Sequence, residues 1–258
     1  MPPIIYGPEE TVIMKGTKTA ILSGAMVFRA NNNDLERRMG DIRLSDSERG
    51  AWFKYLGGKL SMTDQNVDLD QRYHLVQVGY DRDVADWTVG LAVDYGKAKG
   101  DYKSGSSDVR LGSLALYGIR QESDGSYLDM ILRASRVQGD YDVTNGLLDL
   151  SGRYQSWGYS FSAEYGRRIA RESGFYIDPS VELTMGHLNG GDYTAQGGGG
   201  TLHIHQDDFN SFVGRLGIGV GQETERSNVF LKVAVVHEFA GAFDTRYWEE
   251  GLPEKRTA

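Results

Sequence analysis

The segment Trp157-Gly-Tyr-Ser-Phe-Ser-Ala-Glu-Tyr-Gly166 alternates large apolar residues with small or polar ones. A period of two predicts a β-strand with one apolar and one polar face. Similar alternation recurs at 87–96 and 175–186, and weaker copies lie near 50–62, 73–83, 109–120, 127–138, 210–222 and 228–239. The pattern predicts about nine strands of roughly 10 to 14 residues, which is long for a globular sheet.

The connections between these strands alternate in length. Tight turns are expected at 83–86, 123–125, 171–174 and 223–227, and long polar loops at 63–72, 97–108, 139–153 and 187–208. Short turns at one end and long loops at the other are typical of an up-and-down barrel in an outer membrane. The predicted fold class is therefore all-β, an antiparallel up-and-down transmembrane β-barrel.

The two faces of the predicted strands meet different solvents. The apolar face carries aromatic residues towards the strand ends, such as Trp157 and Tyr165, as expected at membrane interfaces. The other face carries charges of both signs, which are costly to bury without partners, so we expect it to line a wet pore or meet a polar plug. The candidate pore-lining residues are Asp94, Asp129, Arg133, Glu164, Arg168, Asp178, Glu182, Arg215 and Lys232.

A helical period precedes the strands and predicts a helix over 12–45, with a basic end at Arg37, Arg38 and Arg43. This helix is the candidate plug, expected inside the lumen. Glycines on the polar face are expected to clear space for it, the alternative being that they mark bulges or bends. They are Gly90, Gly158, Gly166, Gly186, Gly217 and Gly219. The remaining divisions are a leader remnant at 1–11, an incomplete barrel at 46–245 and a polar tail at 246–258.

Composition excludes several classes of protein. The 258 residues include no cysteine, so thiol catalysis, thiolate metal sites and disulfides are excluded. The net charge of -8 argues against nucleic acid as a partner. No apolar run is long enough for a transmembrane helix, and the first residues do not resemble a secretory signal peptide.

Nine short motifs in order resemble the autotransporter β-domain, the C-terminal translocator of type V secretion, over about residues 12–245. They include Asn33-Asp-Leu-Glu-Arg-Arg-Met-Gly-Asp-Ile-Arg43, Gly50-Ala-Trp-Phe-Lys-Tyr-Leu-Gly-Gly58, Val76-Gln-Val-Gly-Tyr-Asp-Arg82, Tyr127-Leu-Asp-Met-Ile-Leu-Arg133, Val213-Gly-Arg-Leu-Gly217 and Lys232-Val-Ala-Val-Val-His-Glu-Phe239. The resemblance implies a 12-stranded barrel in a Gram-negative outer membrane, with a helical linker threading its pore and carrying a passenger outward. It also implies insertion by the outer-membrane assembly machinery, contact with membrane lipid, no catalysis and no cofactor.

Two departures from the family pattern lead to a further expectation. No passenger precedes the helix, and about three strands of the family pattern are missing after Phe239. Unpaired strand edges in hydrocarbon cost several kcal/mol for each unsatisfied backbone group. We therefore expect a truncated or non-functional fragment, which forms no stable closed translocator by itself.

Catalytic and metal-binding alternatives are weaker. The resemblance implies self-cleavage in some family members, and Asn33 aligns with their cyclising asparagine; a polar helix surface is the simpler interpretation. We expect Arg37, Arg38 and Arg43 to pair with lumenal acids such as Asp94, Glu164 or Asp178. The segment His203-Ile-His205 is expected in a loop, without a metal.

Two rival functions stay open on the sequence. An outer-membrane hydrolase barrel would need a Ser/His or Asp/His pair, yet His74, His187 and His237 fall on different strands. A soluble ligand-binding β protein would need a dry core on one face of its sheet, and the charged face argues against one.

Overall fold

The computed structural model describes residues 11–34, 49–64, 67–198, 200–224, 227–241, 244–249 and 255–257. They contain one helix, α1 (Val12–Asp34), and a single antiparallel sheet. Its strands are β1 (Gly50–Asp64), β2 (Val67–Val84), β3 (Trp87–Tyr102), β4 (Gly105–Gln121), β5 (Ser126–Thr144), β6 (Asp149–Arg167), β7 (Ile169–Ala170), β8 (Phe175–Leu188), β9 (Gly191–Gly197), β10 (Gly200–Gln206), β11 (Phe209–Thr224), β12 (Ser227–Ala240), β13 (Thr245–Trp248) and β14 (Lys255–Thr257).

Sequence neighbours pair along the sheet, in the order β1-β2-β3-β4-β5-β6-β8-β11-β12. At one end β9 and β10 continue β8 and β11 after short interruptions, and β13 pairs with β10 and with β14. The sheet curls around α1, which confirms the predicted all-β antiparallel fold with an internal helix. No ladder joins β1 to β12 within the part of the chain that the structure describes.

The predicted long loops are wrong. Stretch 97–108 is mostly β3 and β4, joined by a turn at 103–104, and 139–153 is mostly β5 and β6. Strands therefore run on as hairpins at this end of the sheet, here called the hairpin end. The opposite end, with the turns at 85–86 and 122–125, is called the turn end. The segment expected as a polar tail contains β14 and most of β13.

Alternating burial sets the two faces of the sheet. In β6 the outward side chains of Trp157, Tyr159 and Tyr165 are 46%, 51% and 56% exposed. Inward neighbours such as Ser160 and Glu164 are buried. Comparable outward apolar residues lie on all the long strands, and together they form an apolar belt around the wall.

The helix begins after Thr11, whose hydroxyl accepts a hydrogen bond from the Met14 backbone N–H at 3.3 Å. This is an N-cap, which satisfies one of the unpaired amides at the start of a helix. The prediction placed a helix over 12–45, and residues 35–45 lie outside the described residues. No helix in the described ranges is both long enough and apolar enough to cross a membrane.

Candidate functional site

The inward face of the sheet holds α1 through hydrogen bonds to its backbone and small side chains. Near the middle of the helix, the Ser23 hydroxyl accepts hydrogen bonds from Gln71 Nε2 at 2.5 Å and from the Ser107 hydroxyl at 3.2 Å. The Tyr154 hydroxyl donates to the carbonyl of Ala20 at 3.1 Å. Three strands thus donate hydrogen bonds to two residues of α1 that lie about one turn apart. The lumen is therefore a binding surface for a helix.

The first turns of α1 lie at the hairpin end. There the Tyr247 hydroxyl of β13 donates to the Met14 carbonyl at 3.2 Å. A Cβ at Gly16 would lie 2.5 Å from Ser104 Oγ and from Val143 Cγ1, both at the rim of that end. The helix therefore runs from the hairpin end, where it begins, towards the turn end.

Glycines on the helix and on the wall allow the two to approach closely. A Cβ at Gly24 would lie 2.6 Å from the Tyr154 hydroxyl oxygen, and one at Gly158 would lie 2.6 Å from a ring carbon of Phe28. Burial raises the pKa of the Tyr154 phenol well above its ordinary value, so this group stays a proton donor to the helix. Tyr154 lies at the hairpin end, beyond the apolar belt.

The predicted clearance by glycines needs a correction in part. Gly158 and Gly186 do make room for Phe28 of the helix. Gly90 and Gly166 instead lie under tyrosines of neighbouring strands, Tyr117 and Tyr127. The last two of the six glycines, Gly217 and Gly219, lie beside side chains of the wall.

A buried ion pair lies where α1 ends. The side chains of Arg133 and Asp94 are fully buried, and Arg133 Nε lies 3.5 Å from Asp94 Oδ2. Arg133 also donates through Nη1 to the carbonyl of Asn31. The last carbonyls of a helix lack partners and carry partial negative charge, so a cation there is stabilising.

Asparagine side chains of the helix complete this polar cluster. Asn31 Nδ2 donates to the Ser113 hydroxyl at 2.8 Å, and the Ser160 hydroxyl donates to Asn32 Oδ1 at 2.8 Å. Asn33 belongs to α1, but its side chain is not described. The two asparagines that reach the buried pair are therefore neighbours of the one that the sequence singled out.

Below the helix, towards the turn end, the lumen widens into a cavity of about 930 Å³. Asp129, Glu164 and Glu182 lie side by side on one row of the sheet, with Arg215 next in line. Lys232 Nζ lies 2.7 Å from Glu164 Oε1, and Arg215 is paired with Glu182. The row thus holds three buried carboxylates and one arginine, and Lys232 reaches Glu164 from β12.

The remaining predicted residues lie at the cavity wall. The Tyr127 hydroxyl donates to Asp178 Oδ1 at 2.9 Å. The Arg168 guanidinium lies 3.7 Å from the centre of the Tyr176 ring and 3.1 Å from Glu223 Oε2. At the mouth, hydrogen bonds from the hydroxyl and backbone N–H of Ser126 hold the pKa of Asp124 below its usual value.

All nine predicted pore-lining residues lie on the inward face, in two groups. Asp94 and Arg133 contact each other at the helix end, whereas the other seven lie towards the turn end. Five of these line the cavity, and Asp129 and Glu182 are the ladder partners of Glu164. Arg37, Arg38 and Arg43 lie outside the described residues, so their pairing stays a prediction. Three residues that hold the helix were not predicted from the sequence: Tyr154, Gln71 and Ser107. Their parity was a usable signal, since Tyr154 shares the phase of Gly158.

The hairpin half of the lumen is not polar as predicted. It is an apolar core shared by helix and wall, with Ile21 and Phe28 packed among residues such as Leu111, Val137 and Tyr141. Charges concentrate in the turn half, which α1 does not fill. The charged alternation of the turn half was therefore extended too far in the prediction.

The histidines lie at separate places in the sheet. No group of three potential metal ligands occurs in the described ranges. The segment at 203–205 lies in β10 and not in a loop, where His205 Nδ1 lies 2.6 Å from Asp192 Oδ1. His74 and His187 contact Tyr55 and Asn210 on the outer face of the sheet.

Comparisons with known proteins agree with this architecture. Residues 51–251 match the family model described as Autotransporter beta-domain. The chain is 30% identical over 236 residues to the pertactin autotransporter of Bordetella parapertussis, covering 85% of this chain and 25% of that protein. It is 30% identical over 247 residues to the probable autotransporter YcgV of Escherichia coli K12, covering 90% of this chain and 25% of that one. The chain thus spans about a quarter of the length of these relatives.

Solved structures show the same fold. The β-domain of the Bordetella autotransporter BrkA superimposes with a TM-score of 0.64 at 19% identity, covering 80% of this chain and 94% of that one. The translocator domain of NalP from Neisseria meningitidis gives 0.67 at 14% identity, covering 87% and 86%. At these identities the likeness concerns the fold alone.

Proposed function

Because the chain belongs to the autotransporter β-domain family, we propose that it acts as an outer-membrane anchor and passage that holds a helical linker in its lumen. The observation that carries the proposal is the pairing of two faces on one sheet. Its outward side chains form an apolar belt, and its inward side chains bind α1 by hydrogen bonds, glycine contacts and a buried ion pair. Such a wall suits lipid outside and polypeptide inside.

The direction of α1 supports a role for a passenger domain as partner. The helix begins at the hairpin end, and longer extensions of outer-membrane barrels lie on the extracellular side. A passenger joined ahead of α1 would therefore emerge outside the cell. Insertion by the outer-membrane assembly machinery belongs to the same proposal, as does location in a Gram-negative outer membrane.

The proposed role needs no catalysis. The inward charges are arranged as pairs, such as Glu182 with Arg215 on neighbouring strands, and the Arg133 pair contacts the end of the helix. Passage and anchoring require a hydrophilic wall and a retained linker, and these contacts supply both.

A disulfide tests whether α1 occupies the lumen. The hydroxyl oxygens of Ser23 and Ser107 lie 3.2 Å apart, and the chain has no cysteine of its own. We expect the variant S23C/S107C, refolded as the full chain in a nonionic detergent, to form an intramolecular disulfide detected by mass spectrometry after mild oxidation. The matched control is S23C/S106C, because Ser106 is the adjacent residue on the outward face. Equal yields from both pairs would contradict the proposal.

A further inference from the structure

The outer wall carries basic side chains immediately beyond the apolar belt at the hairpin end. On β2 to β5, the first outward-facing residue past the last apolar or glycine position is His74, Lys97, Arg110 and Arg136, respectively. We call the cationic band the six exposed permanent cations that β1 to β5 carry just beyond the belt: Lys59, Arg72, Lys97, Lys99, Arg110 and Arg136. The band is local, since the whole chain has a net charge of -8.

Members of the cationic band face each other directly across strands. Lys59 is the ladder partner of Arg72, which in turn is the partner of Lys99. On the next outward row Lys97 is the partner of Arg110. Like charges directly opposite each other destabilise a sheet, so this arrangement favours an anionic ligand that neutralises them.

Acidic residues of the protein neutralise the band only in part. Lys59 lies 3.0 Å from Asp70 and Lys99 lies 3.8 Å from Asp108, and the nearest carboxylate oxygen to Arg110 is 4.0 Å away, on Asp140. Arg72 and Lys97 have no carboxylate within ion-pair distance in the described part of the chain, and neither has Arg136. Three cations next to the apolar belt therefore lack a close carboxylate partner, and the acidic residues of these strands lie farther from the belt.

The turn end treats its outward cations differently. Arg120 lies 2.7 Å from Glu122, and Arg167 lies 3.5 Å from Asp124, so two outward arginines just past the belt have partners in the same turn. These two arginines thus differ from Arg72, Lys97 and Arg136, which have no carboxylate at that distance in the described ranges.

The band lies where lipid headgroups meet the wall. Lys97 Nζ is 5.9 Å from the centre of the Tyr95 ring, and the Arg136 guanidinium is 5.7 Å from the Trp157 ring. Aromatic residues at the edge of an apolar belt mark the membrane interface, and basic clusters beside it bind anionic headgroups. Guanidinium and ammonium groups are suited to phosphate.

We propose that the cationic band binds the phosphate groups of the outer-leaflet glycolipid of the outer membrane. This inference rests on the proposed function, because it needs the hairpin end to lie in the outer leaflet. Bound phosphates would sit between Arg72, Lys97 and Arg136 and their neighbours, and would offset the repulsion between facing cations.

The test uses the full chain in nonionic detergent and lipid A as the probe, with bound lipid counted by native mass spectrometry. The triple variant R72Q/K97Q/R136Q removes three charges from the band. The control R82Q/R120Q/R167Q removes three charges from the outward face at the turn end. We expect the first variant to weaken lipid A binding by a factor of about ten to a hundred and the control to bind like the unmodified chain. Lipid A from which the phosphates have been removed should bind the unmodified chain no more tightly than it binds the first variant.

Two results would overturn the inference: equal weakening in both triple variants, or binding that does not depend on phosphate. Introducing the S23C/S107C pair into the same variants separates this failure from failure of the proposed function. If the disulfide forms normally while lipid A binding is unchanged in R72Q/K97Q/R136Q, only the lipid inference is lost. If the disulfide does not form in the unmodified background, the barrel premise itself is lost.

Discussion

Arg133 shows how one residue can join the wall to the helix. Its guanidinium, on β5, pairs with Asp94 on β3 and donates to the Asn31 carbonyl at the end of α1. A buried charge without a partner is unstable, so each of these groups depends on the others. The sequence predicted that Arg133 and Asp94 point inward, but their contact with each other depends on strand register, which a period of two cannot supply.

Removing the guanidinium should therefore loosen the helix. We expect Arg133→Met to lower the free energy of unfolding by about 3–5 kcal/mol, because the buried Asp94 carboxylate loses its counter-charge. Urea unfolding in detergent, followed by circular dichroism, measures the change. The double variant R133M/D94N should recover most of the loss, and a single-variant loss of less than about 1 kcal/mol, typical of an exposed pair, would count against the buried clamp.

Gly24 offers a second test, of the close packing between the helix and the wall. A Cβ there would lie 2.6 Å from the Tyr154 hydroxyl oxygen and 2.9 Å from its Cε2. Overpacking costs about 1–3 kcal/mol, which exceeds the gain of up to about 1 kcal/mol from placing alanine in a helix. We thus expect Gly24→Ala to destabilise the chain in urea unfolding. Gly112→Ala is the control, since a Cβ there meets nothing within 4 Å, and an equal effect at both sites would refute the close fit.

The strands were predictable from the sequence where large apolar residues alternate with small or polar ones in step with the two faces of the sheet. The stretch Trp157 to Tyr165 shows this alternation, and it is a strand. At the hairpin end the outward residues of β3 become Lys97, Lys99 and Asp101, so the apolar half of the signal disappears. The inward small residues, such as Ala98, keep their period. Strands continue there because hydrogen bonds and inward packing do not require an apolar outer face.

The apolar belt can be tested through its tryptophans. Trp157 is outward and 46% exposed, whereas Trp52 turns inward and donates to the Tyr117 hydroxyl at 2.7 Å. In micelles of a brominated detergent, which quenches fluorescence on contact, Trp157→Phe should remove more of the quenchable emission than Trp52→Phe. The measurement is the fraction of tryptophan emission that the detergent quenches in each variant. If Trp52→Phe removed more quenchable emission than Trp157→Phe, the detergent would lie on the inward face, against the proposed belt.

For the molecule as a whole, the lumen divides into an apolar half that binds α1 and a charged half that holds a cavity. The sequence predicted the helix, the sheet and the inward parity of the charges. It did not predict the apolar half, because residues such as Tyr141 and Val143 lie in a stretch interpreted as a loop. Nor did it predict Tyr154 as a donor to the helix, since that contact joins residues 134 positions apart.

The edges of the sheet set its stability in a membrane. No ladder joins β1 to β12 in the described ranges, and unsatisfied backbone groups in hydrocarbon cost several kcal/mol each. A stable wall in a membrane therefore needs a hydrogen-bonding partner for each of these edges.

The hairpins that replace the expected loops change the geometry of the exit. In β5 the belt ends at Ala134, and the nine residues 136–144 continue beyond it. At about 3.4 Å per residue these strands rise well above the lipid as a rigid collar. Polypeptide leaving along α1 would therefore pass the sugar and phosphate layer inside the collar and reach open water only beyond it.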